Sequence, residues 1–197
     1  MKKMKFFNKE KINSEEKNLQ KWKILIADDE SDIHFITKTV LKDFTYKGKG
    51  LEFLSAYSGE ETISILQTNK DIVLVLLDVI METDDAGLVV AKNIRDELHN
   101  KDIQIVLRTG QPSDAPKATI VKDYEINDYK EKTELTADKL LTTLTTAIRS
   151  YENIKALQQS KDEIVNLNYE LSELLESFDD NIIASKTDIN ARPSAYA

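Results

Sequence analysis

Apolar and polar positions along the chain fall into short hydrophobic runs that alternate with helical periods. Up to Lys21 no period is sustained. Lysines alternate there with Glu10, Glu15 and Glu16, which reads as a flexible basic tail over residues 1–21, solvated rather than membrane-bound. From Trp22 the pattern changes. Lys23-Ile24-Leu25-Ile26-Ala27 is a short strand-like run that ends in Asp28-Asp29-Glu30-Ser31. Ile33, Ile36, Val40, Leu41 and Phe44 then recur with helical spacing. Leu51–Tyr57 reads as a second strand. Ser58-Gly59-Glu60-Glu61 has capping-box spacing ahead of Ile63 and Leu66. Ile72–Leu77 is apolar at every position, the signature of a central parallel strand buried on both faces, and it ends at Asp78. Gly87–Leu98 is helical, Ile103–Leu107 is a strand ending in Arg108-Thr109-Gly110, and Pro112 and Pro116 mark Gln111–Asp123 as a loop with at most a short helix. Glu125–Lys130 is the weakest strand, and a helix begins near Thr136.

Strand and helix thus alternate about five times. That predicts an α/β domain over residues 22–150: a five-stranded parallel, doubly wound sheet of flavodoxin-like order 2-1-3-4-5. The last helix extends beyond it, since no glycine or proline occurs between Ala137 and Phe178. Leu157, Ile164, Leu171 and Phe178 recur every seven residues. Ile154, Lys161, Asn168 and Leu175 form the complementary row. Together they predict a coiled-coil helix over residues 151–178 and a homodimer, with Lys161 and Asn168 weakening the seam but defining its register. The other reading is one amphipathic helix folded back on its own domain. Residues 179–197 read as a flexible tail.

Composition narrows the function classes. The chain has 197 residues and a formal charge of −8, which argues against direct binding of nucleic acid. Its longest apolar run falls far short of the ~20 residues of a membrane helix, and no signal-peptide stretch follows the basic start. The absence of cysteine excludes disulfides and thiolate metal sites and fits a cytoplasmic location.

In a parallel sheet all strand C-termini reach one edge, where ligands bind. Asp28 and Asp29 follow the first strand, Asp78 the third, Thr109 the fourth and Lys132 the fifth, and they are expected to converge there. Clustered carboxylates repel one another unless a cation intervenes. Oxygen-only ligands suit Mg²⁺, which leaves coordination positions for a phosphoryl group. A carboxylate can then form an aspartyl phosphate, with the Lys132 ammonium and the Thr109 hydroxyl facing other phosphoryl oxygens. Singly, each residue has a plain reading: a helix cap for Asp28-Asp29-Glu30-Ser31, a turn for Asp78, a loop start for Thr109-Gly110, a solvated lysine for Lys132.

Ile24-Leu25-Ile26-Ala27-Asp28-Asp29-Glu30, Leu76-Leu77-Asp78-Val79-Ile80-Met81, Leu107-Arg108-Thr109-Gly110 and Asp128-Tyr129-Lys130-Glu131-Lys132 together resemble the receiver domain of bacterial two-component response regulators. The resemblance implies that Asp78 is the phosphoacceptor and that a histidine kinase or phosphotransfer protein supplies the phosphoryl group in a phosphorelay. It also implies that Asp28, Asp29 (the direct ligand), Asp78 and the Ile80 backbone carbonyl form the Mg²⁺ site. Thr109 is then the switch hydroxyl, Tyr129 the switch aromatic and Lys132, rather than Lys130, the site lysine. Three departures stand out: Glu82 and Thr133 where the family has proline, and a stretch from Asp78 to Gly87 that is one residue longer. The segments Met81–Gly87 and Lys130–Thr136 resemble receivers at the front of larger regulators, some of which end in cyclic-dinucleotide enzymes. Glu176–Asp188 resembles the lead-in to a PAS sensor domain, which suggests a shortened relative or a fragment.

The expected function is a phosphorylation switch of partner binding or dimerisation through the C-terminal helix. Beyond autophosphorylation and autodephosphorylation, no enzymatic activity is expected. The alternatives are a phosphorylation-independent receiver-like scaffold and a regulatory fragment of a multidomain cyclic-dinucleotide signalling protein. A haloacid-dehalogenase-type phosphatase needs a second aspartate where Ile80 stands. His34 and His99 read as surface histidines rather than phosphate relays.

Overall fold

The computed structural model describes residues 21–110, 117–132 and 136–190. Five parallel strands form one sheet in the order β2-β1-β3-β4-β5. They are β1 (Trp22–Ala27), β2 (Leu51–Ala56), β3 (Ile72–Asp78), β4 (Gln104–Thr109) and β5 (Asp128–Glu131). The helices are α1 (Ser31–Val40), α2 (Gly59–Thr68), α3 (Ala86–Asp96), α4 (Lys117–Asp123) and α5 (Ala137–Asn190). The architecture and strand order match the sequence-based expectation.

Burial explains why the strands lie where they do. Every residue of β3 and β4 is buried, as expected of inner strands with apolar centres, Ile72–Leu77 in β3 and Ile105–Leu107 in β4. β2 and β5 are the edges, and both are only partly buried. Leu74, Leu76 and Leu77 are at most 1% exposed, and each such side chain stabilises the fold by ~1.5–3 kcal/mol. Leu25, Ala91, Ile94, Ile105 and Leu107 complete the centre of a core shared by the sheet and the helices.

Local chemistry sets the helix starts. Ser58 Oγ accepts from the Glu61 amide at 3.2 Å, capping α2 as expected. The return arm of the box lands one residue early, because Glu61 Oε2 accepts from the Tyr57 amide at 2.7 Å rather than from that of Ser58. α1 begins at Ser31 with Glu30 as the flanking residue, which makes no side-chain cap.

Register positions the functional rim. Ala27 pairs with Leu77, and Asp78 pairs with Arg108. Asp28, Asp78 and Thr109 therefore end their strands side by side. β5 starts at Asp128 rather than Glu125. Glu125 adopts a left-handed φ of 47°, and the Tyr124 amide still bonds to the Ile120 carbonyl, so α4 closes through the residues expected to open the strand.

The chain divides into two compact units after Ile148. The first holds the sheet, and its share of α5 buries Leu140, Leu144, Ala147 and Ile148. In the second, Leu157, Ile164, Leu171, Leu175 and Phe178 are each more than half exposed. Helix α5 continues to Asn190, past the predicted end at Phe178, because no proline or glycine follows until Pro193. The remainder of the expected tail, residues 191–197, and most of the expected N-terminal tail lie outside the described residues. No described helix is long and apolar enough to cross a membrane.

Candidate functional site

Asp28 follows β1 directly, Asp78 is the last residue of β3, Thr109 ends β4 and Lys132 follows β5. Asp28 and Asp78 are buried while Asp29 is exposed. Each offers a carboxylate oxygen, and the three atoms lie within 4.8 Å of one another. Lys132 Nζ reaches into this group. It lies 3.0 Å from Asp78 Oδ2, 3.3 Å from Asp28 Oδ2 and 2.9 Å from Glu30 Oε1. Lys130 instead pairs with Asp128 at 3.1 Å. Thr109 is buried beside the group, and Tyr129 is buried in the hydrophobic core. Ile80 stands two residues past Asp78 in the turn towards α3. Thr133 lies outside the described residues.

The electrostatics follow from this crowding. Burial pushes the Asp78 carboxyl above the ordinary carboxylate range, and the neighbouring Asp28 adds to the effect. The hydrogen bond from Lys132 and the one from the Val79 amide oppose it. Burial disfavours the charge on Lys132, yet its hydrogen bonds to Glu30 and Asp78 and the field of Asp28 outweigh that, so its pKa lies above the usual lysine value. The donor set is oxygen-only and acidic, open through Asp29, and fits a hard cation such as Mg²⁺.

Several residues matter here that sequence reasoning does not single out. Arg108, embedded in β4, is 3% exposed. Its Nη2 lies 3.3 Å from Asp28 Oδ2, and its Nη1 donates to Thr37 Oγ1 at 3.2 Å. The available signal is a charge directly after the apolar run Ile105–Leu107 of an inner strand. His34 is a correction: it is 2% exposed, not a surface residue. Its Nε2 lies 2.7 Å from the Asp28 carbonyl oxygen, which only accepts, so Nε2 carries the proton. Its Nδ1 lies 3.0 Å from Ser55 Oγ, and Tyr57 packs against the ring. His99 is exposed, as expected.

Glu82 in the β3–α3 turn and Gly87 in the first turn of α3 shape the rim. Glu82, where the family has proline, accepts from the Gly59 amide at 2.9 Å and 3.1 Å, fastening the β3–α3 turn to the start of α2. The Gly87 amide donates to the Val79 carbonyl at 2.9 Å. A Cβ at Gly87 would collide with the Asp78 carbonyl oxygen, so only glycine lets α3 begin this close to the end of β3. Among the described residues, a Cβ at Gly110 would meet only Lys132 Cδ, at 3.9 Å.

Comparison with known proteins adds three findings. The family model described as the response regulator receiver domain matches residues 24–145. The chain is 43% identical over 140 residues to the 3'3'-cGAMP-specific phosphodiesterase 2 of Vibrio cholerae serotype O1. The match covers 71% of this chain and 27% of that protein. Among solved structures, a response regulator receiver domain protein from Clostridium thermocellum superposes with a TM-score of 0.58 at 25% identity, covering 68% of this chain and 98% of the other. A CheY-like receiver from Methanospirillum hungatei gives a TM-score of 0.55 at 20% identity, with the same coverage.

The relative corrects one expectation. The receiver segment by itself reads as non-enzymatic, whereas the curated relative that shares this segment is a phosphodiesterase, an enzyme. The shared segment is about a quarter of that protein, so a receiver's own chemistry does not define the activity of the chain that carries it.

Proposed function

The chain belongs to the response regulator receiver family, and from that premise we propose that Asp78 accepts a phosphoryl group from a histidine kinase or phosphotransfer protein. The observation that carries this reading is the convergence of Asp28, Asp29, Asp78 and Lys132 at one sheet edge. Receiver domains bind Mg²⁺ at such an acidic pocket. Here Asp29, Asp78 and the Ile80 carbonyl would hold it, with Asp28 completing the acidic pocket behind Asp29, and when bound it would neutralise charge on the phosphoryl oxygens.

An Asp78 carboxylate oxygen attacks phosphorus. The phosphorus–nitrogen bond to the donor imidazole breaks, its electron pair stays on that nitrogen, and an acyl phosphate forms. Lys132 exchanges its Asp78 contact for a phosphoryl oxygen. The Thr109 hydroxyl donates to another. Tyr129 follows Thr109, altering the surface of α4, β5 and the start of α5. The two states differ in their affinity for phosphate, which is what allows modification to shift the balance between them.

The output passes along α5. The exposed row Leu157, Ile164, Leu171 and Phe178 would bury itself against the same row of a second copy. The further reading is that phosphorylation regulates hydrolysis of a cyclic dinucleotide, the substrate class in the name of the Vibrio relative. Such a switch works in the cytoplasm, where its kinase presents phosphohistidine.

Incubation with acetyl phosphate and Mg²⁺, followed by intact mass measurement, tests the acceptor. One phosphoryl adduct on the wild type and none on Asp78→Asn is expected. No adduct, or an equal adduct on both, removes the reading.

A further inference from the structure

Arg108 is a buried cation in an inner strand whose central residues, Ile105, Val106 and Leu107, belong to the core. Placing a guanidinium there carries a desolvation penalty that an apolar side chain of similar size would avoid. Burial holds its pKa below the usual arginine value, against the pull of Asp28 and Asp78. Its Nε is buried and, among the described residues, has no acceptor. Packing does not account for such a group. Its contacts do: one end of the guanidinium pairs with the Asp28 carboxylate and the other is held by the Thr37 hydroxyl.

Asp28 is engaged at both carboxylate oxygens, by Arg108, Lys132 and the Glu30 amide. Its Oδ2 faces both Arg108 Nη2 and Lys132 Nζ, each at 3.3 Å. Its Oδ1 accepts from the Glu30 amide at 3.1 Å. The guanidinium is itself held from the other side by Thr37 of α1. Asp29, by contrast, is exposed, and no cation pair to it is seen among the described residues.

We propose that Arg108 is a positioning residue that acts as a fixed counter-charge to Asp28, leaving Asp29 and Asp78 as the carboxylates that meet Mg²⁺ and holding the Mg²⁺ affinity of the chain down. This rests on the Mg²⁺ reading of the pocket above. Lys132 is shared among three carboxylates and can turn to a phosphoryl group, whereas Arg108 stays with Asp28 when Lys132 leaves. A divalent ion entering the pocket meets a cation that cannot be titrated or swung aside. Removing that cation therefore strengthens Mg²⁺ binding.

The test is calorimetric titration of Mg²⁺ into the unphosphorylated full chain at fixed ionic strength. Thermal unfolding serves as the check on folding. Arg108→Gln is expected to bind Mg²⁺ about tenfold more tightly than the wild type. Arg108→Lys keeps the charge and is expected to stay within about threefold of the wild type. Unchanged or weaker binding by folded Arg108→Gln overturns the role of Arg108 while leaving the Mg²⁺ site standing. Should Arg108→Gln fail to fold, a change of about tenfold or more in Arg108→Lys overturns it instead. A wild type that binds no Mg²⁺ at millimolar concentration overturns both the role and the site.

Discussion

Asp78 meets two opposed demands. In the proposed acceptor role it must ionise, yet it is 3% exposed and stands beside another buried carboxylate. Its pKa is raised in the folded chain, so between its ordinary value and the raised one the folded state binds more protons than the unfolded state. Stability contributed by this residue is therefore full below the ordinary carboxylate pKa and falls as pH rises through the folded value. Asp78→Asn removes that charge while Lys132 keeps Asp28 and Glu30. At neutral pH without Mg²⁺ the variant is expected to be more stable, by on the order of 1 kcal/mol, with the gain vanishing in acid. Urea melts at two pH values measure this, and a variant less stable than the wild type at neutral pH contradicts it. Gly87→Ala acts in the opposite direction: the collision with the Asp78 carbonyl is expected to cost ~1–3 kcal/mol or more in the same melts. The acidic residues and Lys132 are legible in the sequence because each ends or follows a strand, and parallel strands share an edge. Arg108 and His34 are not. Their roles depend on partners 80 and 6 residues away, and nothing in a one-dimensional pattern says that a charge in a strand faces a carboxylate or that a helical histidine is buried.

At the scale of elements, strands and helices are legible wherever hydrophobic periodicity is strong, as in the unbroken run of β3. Periodicity fails where a backbone hydrogen bond decides the boundary. The left-handed Glu125 ends α4 and delays β5, and the absence of a helix breaker carries α5 to Asn190. The β3–α3 turn shows the same limit. As sequence, Glu82 is only a missing proline, but the structure uses its carboxylate to hold the first amide of α2. Glu82→Ala is expected to destabilise the domain by ~1 kcal/mol, the usual value of a lost N-terminal helix contact. A variant within about 0.3 kcal/mol of the wild type, inside the scatter of surface substitutions, means that the contact contributes little.

At the scale of the molecule, the first unit holds the carboxylate cluster with Lys132, and the second exposes an apolar row along a helix that no described element covers. In the dimeric account, Ile164 stands mid-seam, with Leu157 and Leu171 one heptad to either side. Leu157→Glu combined with Leu171→Glu is expected to give a monomer in sedimentation velocity at concentrations where the wild type is dimeric, with the melting of the first unit unchanged. A wild type that is monomeric at the same concentrations contradicts the dimer. The claim beneath all of this is that position 78 becomes an acyl phosphate, and borohydride trapping reads that bond directly. After acetyl phosphate and Mg²⁺, reduction followed by peptide mass spectrometry is expected to show homoserine at position 78 alone, and none when Mg²⁺ is chelated. Unreduced Asp78, or homoserine spread over other carboxylates regardless of Mg²⁺, would contradict it.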